Sequence, residues 1–186
     1  LELVETRDQT TIPRLIGILD EDDTTYRRAA VKTLGAIGMD TIPYLVEILA
    51  TSENVTVRGS AVKAIAQVIV NYPHEPLSPE GLECLKTSMS DDNPVVNIAA
   101  VMALGELGAP AFEMMVEALQ TTDNIALQVT LVNTLASMGD RRAEPILVAA
   151  SQDETLDEYV RESATSALPR LDQTIKYQEM KAARGS

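Results

Sequence analysis

Apolar and small side chains recur along the chain in five copies of one pattern. Each copy has an aliphatic anchor, an apolar residue eight positions before it (Tyr26 in the first copy), a small or aliphatic residue four positions before it and an apolar residue three positions after it. The anchors are Leu34, Ile65, Leu104, Leu135 and Leu168. They lie 31, 39, 31 and 33 residues apart, which is the period of stacked helical hairpins and not of one globular core.

Each copy predicts two helices. Ile12-Pro13 and Ile42-Pro43 open segments with apolar residues at i, i+3, i+4 and i+7, so each segment has one buried stripe. A proline in the first turn of a helix costs no hydrogen bond, so Pro13 and Pro43 mark helix starts. The anchor helices are expected to end at glycines, where a left-handed residue often closes a helix. These glycines are Gly38, Gly108 and Gly139.

Two copies depart from the pattern. The second has no closing glycine and continues into residues 71–79, which accounts for its long spacing. The last has Pro169 after its anchor and then a polar stretch. We therefore expect a single repeat array over residues 1–171 and a C-terminal tail over residues 172–186.

The two ends of the chain suggest a fragment. Leu1 and Val4 match Val31 and Leu34 of the next unit, so the first of about five units is expected to be truncated upstream. Residues 184–186 resemble a cloning-vector remnant and are set aside.

The units resemble HEAT repeats, with a proline in the first helix, an acidic turn and a basic residue early in the second helix. The basic residues are Arg27, Arg58 and Arg161. The resemblance implies an all-α fold, an α-solenoid of antiparallel helix pairs wound as a right-handed superhelix. Asn97 and Gln128 replace the basic residue in the third and fourth units, so a ladder from acidic turn to basic helix is expected to be interrupted there.

Composition and charge narrow the choice of partners. The chain is 45% hydrophobic and 3% aromatic, which suits closely packed helices, and its net charge is −13. Twelve acidic residues fall in the turns between paired helices and would repel polyanions, so we expect no nucleic acid and no anionic membrane as partner. These turns either cap the following helices or form a docking edge for a basic partner. No run of about 18 apolar residues is present, so a soluble chain is expected.

Residues for catalysis are scarce. One His and one Cys exclude a disulfide or a multi-ligand zinc site within the chain. HEAT hydroxylases with a di-iron site carry several His-Glu pairs, whereas this chain has only His74-Glu75. Cys84 lies between Leu82 and Leu85 on an apolar helix, so a buried, inert thiol is expected. We therefore predict no catalytic residue, no metal, no cofactor and no enzymatic activity.

The best candidate site comes from the second helices, which line the concave face in HEAT-like arrays. Positions two and six before each anchor should point outward because the apolar stripe uses other positions. In the first two units these outward positions give basic residues, and in the next two they form an apolar patch. A protein partner is expected to bind the patch and the basic residues beside it. The predicted partner-binding residues are Arg28, Lys32, Lys63, Val95, Ile98, Met102, Ala126, Val129 and Asn133. Burial of the patch between neighbouring units is the alternative.

The insertion after the second unit is a second candidate. Insertions into one repeat often map to a binding edge, which brings in Tyr72, His74 and Glu75. A proline-stiffened linker is the alternative.

Two segments, residues 26–35 and 101–108, resemble cyanobacterial HEAT proteins related to phycobilin lyase subunits and phycobilisome-degradation factors. That group includes a partner of the A-type iron–sulfur assembly scaffold protein. The resemblance implies a cytoplasmic, chaperone-like scaffold for a protein client, in iron–sulfur assembly or phycobilisome metabolism.

Two other functions stay open. In a subunit of an E/F-type phycobilin lyase, Arg28, Lys32 and Lys63 would pair with tetrapyrrole propionates and the apolar patch would hold the rings of the bilin. In a fragment of a larger HEAT assembly, the active parts would lie upstream.

Overall fold

The computed structural model describes residues 8–184, so the predictions about Leu1 and Val4 fall outside the described residues. These residues form an all-α solenoid, with ten α-helices and no strand among them. The helices are α1 (Thr11–Gly17), α2 (Thr24–Ile37), α3 (Ile42–Thr51), α4 (Val55–Asn71), α5 (Pro79–Ser88), α6 (Pro94–Leu107), α7 (Phe112–Thr121), α8 (Ile125–Met138), α9 (Ala143–Gln152) and α10 (Glu158–Arg184). Short 3-10 segments at Ile18–Asp20, Met39–Thr41 and Ala109–Ala111 join some of them.

The chain forms two compact units, unit 1 (Leu1–Leu107) and unit 2 (Gly108–Ser186). In both units, consecutive helices pair as hairpins. The second helices also pack side by side, α2 on α4 and α4 on α6 in unit 1, and α8 on α10 in unit 2. Each hairpin thus buries its apolar face against a neighbouring hairpin, as a solenoid requires. The single array over residues 1–171 stays a prediction.

Most of the aligned apolar positions of the repeats are buried in the hydrophobic core. The first four anchors are fully buried, and so are the small or aliphatic residues four positions before them. Leu168 is only half-buried, whereas Leu171 is 2% exposed. The expectation for Tyr26 is wrong, because this side chain is 64% exposed while the aliphatic residues at its position in the other copies are buried. A phenol hydroxyl tolerates contact with water that an aliphatic side chain avoids.

The glycine prediction is confirmed. Gly38, Gly108 and Gly139 close α2, α6 and α8 with φ values of +90°, +76° and +68°, the only positive φ values among the described residues. A residue with a Cβ is strained there, so glycine is required. Pro43 lies in the first turn of α3, as expected for a helix start.

The C-terminal stretch is part of the last helix. Helix α10 continues through Pro169 to Arg184, so the segment predicted as a C-terminal tail is helical as far as Arg184. Leu171 and Ile175 are both buried on one face of this helix. Gln178 Nε2 donates to the Met138 carbonyl at 3.0 Å, which fixes the helix to the end of α8.

The turns before the second helices are capped by a mixture of residues. Asp23 Oδ1 accepts from the Thr25 N–H at 2.7 Å, and this bond holds the pKa of Asp23 below its ordinary value. Asp157 accepts from the Tyr159 N–H at 2.8 Å. Asn54 and Asn124 cap α4 and α8. The capping interpretation therefore holds for some acidic residues, and the others leave negative charge on the turns.

Candidate functional site

A groove of about 610 Å³ lies in unit 1 along its three second helices, α2, α4 and α6. Five of the predicted partner-binding residues line it: Arg28, Lys32, Lys63, Val95 and Met102. We call it the basic groove. The structure thus brings these five residues together within unit 1, and the binding of a partner there stays a prediction.

Three exposed cations line the basic groove, and the half-buried Arg27 lines it as a fourth. Arg28 and Lys32 are four residues apart on α2 and therefore share a face, and Lys63 lies on α4. All three side chains are exposed. None of the described lining residues is Asp or Glu. In a chain of net charge −13, this groove presents a local positive field that favours an anionic ligand.

The opposite wall is apolar. Val95 and Met102 lie two helical turns apart on α6 and are 54% and 60% exposed. Val31, Ala66 and Ala99 also line the groove. Large apolar side chains left in water within a concavity are characteristic of ligand sites.

Helix α4 forms the floor of the basic groove. Gly59 occupies the same repeat position as Arg28 and is buried; a Cβ there would contact Val95 Cγ1 at 3.7 Å. Because Gly59 has no side chain, α4 adds no bulk to the floor of the groove at this position. Gln67 also lines the groove but was missed by the sequence analysis. Gln67 lies four residues after Lys63 and therefore on the same face of α4, which is the signal in the sequence that could have identified it.

In the first four units, the residue seven positions before the anchor, where the HEAT pattern has a basic side chain, bonds to the turn that precedes its own helix. Four side chains there donate to a backbone carbonyl of their own turn: Arg27, Arg58, Asn97 and Gln128. Arg58 also pairs with Asp91 of the next hairpin. The amide side chains of Asn97 and Gln128 therefore keep the bond to the turn, and neither brings a charge for a pair between hairpins.

The remaining predicted residues are placed differently. Ile98 is half-buried and does not line the basic groove, whereas its neighbour Ala99 does. This corrects the prediction for Ile98 alone, which lies about 100° around α6 from Ala99. Ala126, Val129 and Asn133 belong to unit 2, where Asn133 Oδ1 accepts from Arg170 Nη2. Their part in a site stays a prediction.

The insertion is attached to the first hairpin. Tyr72 is half-buried, and its hydroxyl donates to the Ala36 carbonyl at 2.5 Å. Asn71 Nδ2 donates to the Gly35 carbonyl at 3.0 Å. His74 is exposed, as is Glu75. The contacts of Tyr72 favour the linker interpretation for this residue.

Three further observations on the described part of the chain concern metal binding, membrane spans and the free thiol. No three His, Cys, Asp or Glu side chains come together there as a metal site. No single helix in residues 8–184 is long and apolar enough to cross a membrane. Burial raises the pKa of the Cys84 thiol, which disfavours the reactive thiolate at neutral pH.

Comparison with known proteins relates the chain to one family and to three named proteins. The family model described as HEAT repeats matches residues 1–66, 42–126 and 82–169. The chain is 56% identical over 170 residues to the "Uncharacterized phycocyanin operon protein Z" of Pseudanabaena tenuis (strain PCC 7409), covering 91% of this chain and 84% of the relative. It is 28% identical over 165 residues to the "Bilin biosynthesis protein CpeZ" of Synechococcus sp. (strain WH8020), covering 86% and 88%.

A solved structure shares the fold. In the complex of CpcE and CpcF of phycocyanin lyase from Nostoc sp. PCC7120, the matching chain superposes with a TM-score of 0.66 at 18% identity. The match covers 86% of this chain and 99% of that chain. At this identity the similarity shows the solenoid fold alone.

Proposed function

The chain belongs to the HEAT-repeat family that includes the phycocyanin operon protein Z of Pseudanabaena tenuis, and from this premise we propose that it is a phycobilin-handling scaffold. Its basic groove holds an open-chain tetrapyrrole for a protein partner. The observation that carries this proposal is the meeting of three exposed cations and two exposed apolar side chains in one concavity of an acidic chain.

The chemistry of an open-chain tetrapyrrole matches the basic groove. Such a molecule has a largely apolar chain of rings and two propionate carboxylates. Arg28, Lys32 and Lys63 supply charged donors for the carboxylates, and Val95 and Met102 supply apolar surface for the rings. A volume of about 610 Å³ is in the usual range for small-molecule pockets, roughly 300–1,000 Å³.

A protein partner completes the proposed function. No Cys, His, Asp or Glu is among the described lining residues of the basic groove, and Cys84 lines a different groove of unit 1. The bond between bilin and protein would therefore be made by groups that the partner supplies. The names of two relatives, which refer to a phycocyanin operon and to bilin biosynthesis, support the phycobilisome branch of the functions expected from the sequence. The names of these relatives give no support to a role in iron–sulfur assembly.

Titration with biliverdin, an open-chain tetrapyrrole with two propionates, tests the bilin site. We expect saturable binding with an induced circular dichroism in the visible bands. The variant R28A/K32A/K63A should bind at least about tenfold more weakly, since charge-assisted hydrogen bonds are lost. The control R14A/K181A/R184A removes three exposed cations outside the basic groove and should bind as the unchanged protein does.

A second ligand separates charge recognition from apolar binding. Biliverdin dimethyl ester has the same rings but no carboxylate, so it should bind the unchanged protein about as weakly as biliverdin binds R28A/K32A/K63A. Equal affinity for the acid and the ester would contradict the proposed role of the cations. Absence of any induced dichroism with either ligand would leave a protein client as the better hypothesis. V95D/M102D, tested against isolated phycocyanin subunits, would then decide whether the groove binds the client.

A further inference from the structure

A second groove, of about 710 Å³, lies in unit 2 where the turns of its two hairpins come together. Its apolar lining consists of Leu119, Ile125, Ile146, Ala149, Ala150 and Leu156. Ile125, in the first turn of α8, is 44% exposed. Three carboxylates, Asp123, Asp153 and Asp157, also line it, and no Lys or Arg is among the described lining residues. We call it the acidic groove.

The acidic groove has a counterpart in unit 1 that differs from it by containing a cation. There, a groove of about 800 Å³ is lined by Arg58 and by four carboxylates, those of Glu80, Glu83, Asp91 and Asp92. Arg58 and Asp91 form an ion pair between hairpins. Gln128 lies at the same repeat position as Arg58, seven residues before its anchor, and lines the acidic groove. Its amide donates to the Thr122 carbonyl at 2.8 Å. The cation that bridges hairpins in unit 1 is thus replaced by a neutral side chain in unit 2.

Two of the three carboxylates of the acidic groove are held in place by hydrogen bonds. Asp153 accepts from both the N–H and the hydroxyl of Thr155, and these bonds, with a smaller contribution from Arg161, keep its pKa below the ordinary value. Asp157 is fixed by the Tyr159 N–H. Ionised groups at fixed positions next to apolar surface form a site for a cation attached to an aliphatic chain.

We propose that the acidic groove binds a cationic, amphipathic segment of a partner protein. A Lys or Arg of that segment takes the place that Arg58 has in unit 1, and an aliphatic side chain of the segment packs on Ile125 and Ile146. The charge complementarity and the exposed apolar floor together favour this occupant. The proposal does not depend on the bilin site, because the acidic groove shares no residue with the basic groove.

Fluorescence anisotropy with a labelled amphipathic peptide of leucine and lysine tests the proposal on the full chain. The variant D123N/D153N/D157N keeps the side-chain acceptors of the two capped turns but removes three charges, and should bind the peptide at least about tenfold more weakly. The control E21Q/D22N/E53Q changes the net charge equally on the turns of unit 1 and should change affinity less than about twofold.

Two single substitutions test the geometry. Gln128→Arg places a cation of the chain itself where the cation of the peptide is proposed to bind. The two cations then compete for the same carboxylates, so peptide binding should weaken. Ile125→Ser should weaken it by removing apolar floor. If D123N/D153N/D157N fails to fold, as judged by its helical circular dichroism, Gln128→Arg decides the matter, and unchanged peptide affinity in that variant overturns the proposal.

Other results would also overturn the proposal. Equal losses of peptide affinity in D123N/D153N/D157N and E21Q/D22N/E53Q would show that binding depends on the net charge of the protein and not on the acidic groove. A peptide with glutamate in place of lysine that binds as tightly would show that charge plays no part. Self-association in sedimentation equilibrium that D123N/D153N/D157N abolishes would assign the acidic groove to a second copy of this chain. Biliverdin binding should be unchanged in D123N/D153N/D157N, so failure here is distinguishable from failure of the bilin site.

Discussion

Arg58 and Asp91 form an ion pair with two hydrogen bonds that joins α4 to the turn before α6. Arg58 Nε lies 2.7 Å from one carboxylate oxygen of Asp91, and Nη2 lies 3.0 Å from the other. The two side chains are only 18% and 12% exposed. The same guanidinium donates to the Ser52 and Glu53 carbonyls of its own turn. One side chain therefore connects two successive hairpins of unit 1.

Asp91→Asn should lower the free energy of unfolding by about 2 kcal/mol, the usual size for a hydrogen bond to a charged partner. The loss leaves a half-buried guanidinium without its counter-charge. Urea denaturation followed by circular dichroism measures the change. Asp92→Asn is the matched control, because Asp92 is exposed, and it should cost less than about 0.5 kcal/mol. Equal costs for the two variants would mean that the pair contributes nothing specific.

The ion pair should also give a signature in acid. The hydrogen bonds from Arg58 hold the pKa of Asp91 below its ordinary value. Its stabilising effect is therefore complete above the unfolded-state pKa, about 3.9, and is lost as the pH falls through the lower folded-state pKa. The stability difference between the unchanged protein and Asp91→Asn should thus be constant near neutral pH and shrink below about pH 4. A difference that stays constant at lower pH would contradict this.

Gly35 lies at a close approach of α2 and α4. A Cβ at this position would overlap Gln67 Cβ and lie 3.3 Å from the Gln67 backbone carbon. Gly35→Ala should lower the free energy of unfolding by about 2 kcal/mol through overpacking, although alanine is the better helix former. Gly17→Ala in α1 is the control, since a Cβ there meets no atom within 4 Å, and it should be neutral or stabilising. Thermal melts of both variants measure this contrast.

Gly38 and Gly108 separate backbone strain from side-chain contact. Their backbones are similar, with φ of +90° and +76°, so alanine should cost each about 1–3 kcal/mol in strain. A Cβ at Gly38 would also lie 2.7 Å from Tyr72 Cζ, whereas at Gly108 it would meet nothing within 4 Å. Gly38→Ala should therefore be more destabilising than Gly108→Ala in urea denaturation. The reverse order would show that the Tyr72 ring moves away freely.

Tyr72→Phe tests whether the insertion is a linker or a binding edge. Loss of the bond to the Ala36 carbonyl should lower the free energy of unfolding by about 1 kcal/mol. Affinity for biliverdin should be unchanged, because Tyr72 does not line the basic groove. His74→Ala, at an exposed neighbour, should alter neither quantity. A loss of biliverdin affinity in Tyr72→Phe at unchanged stability would instead favour the binding interpretation.

The sequence by itself determined the features that depend on local backbone preference and on periodicity. Repeating aliphatic anchors fix which face of each second helix is buried, because 3.6 residues make one turn. Glycines at 38, 108 and 139 end helices because positive φ strains other residues. The cations Arg28, Lys32 and Lys63 follow from the same period, and they do meet in one groove.

Only the tertiary structure decided the details that depend on how the hairpins pack. It places Ala99 and not Ile98 in the lining of the basic groove, because the packing of α6 decides which side chains of the helix meet the groove. It continues α10 through Pro169 because Leu171 and Ile175 find apolar neighbours to pack on. It also pairs Arg58 with a carboxylate 33 residues away. Such contacts join parts of the chain far apart in sequence, and periodicity within one helix carries no information about them.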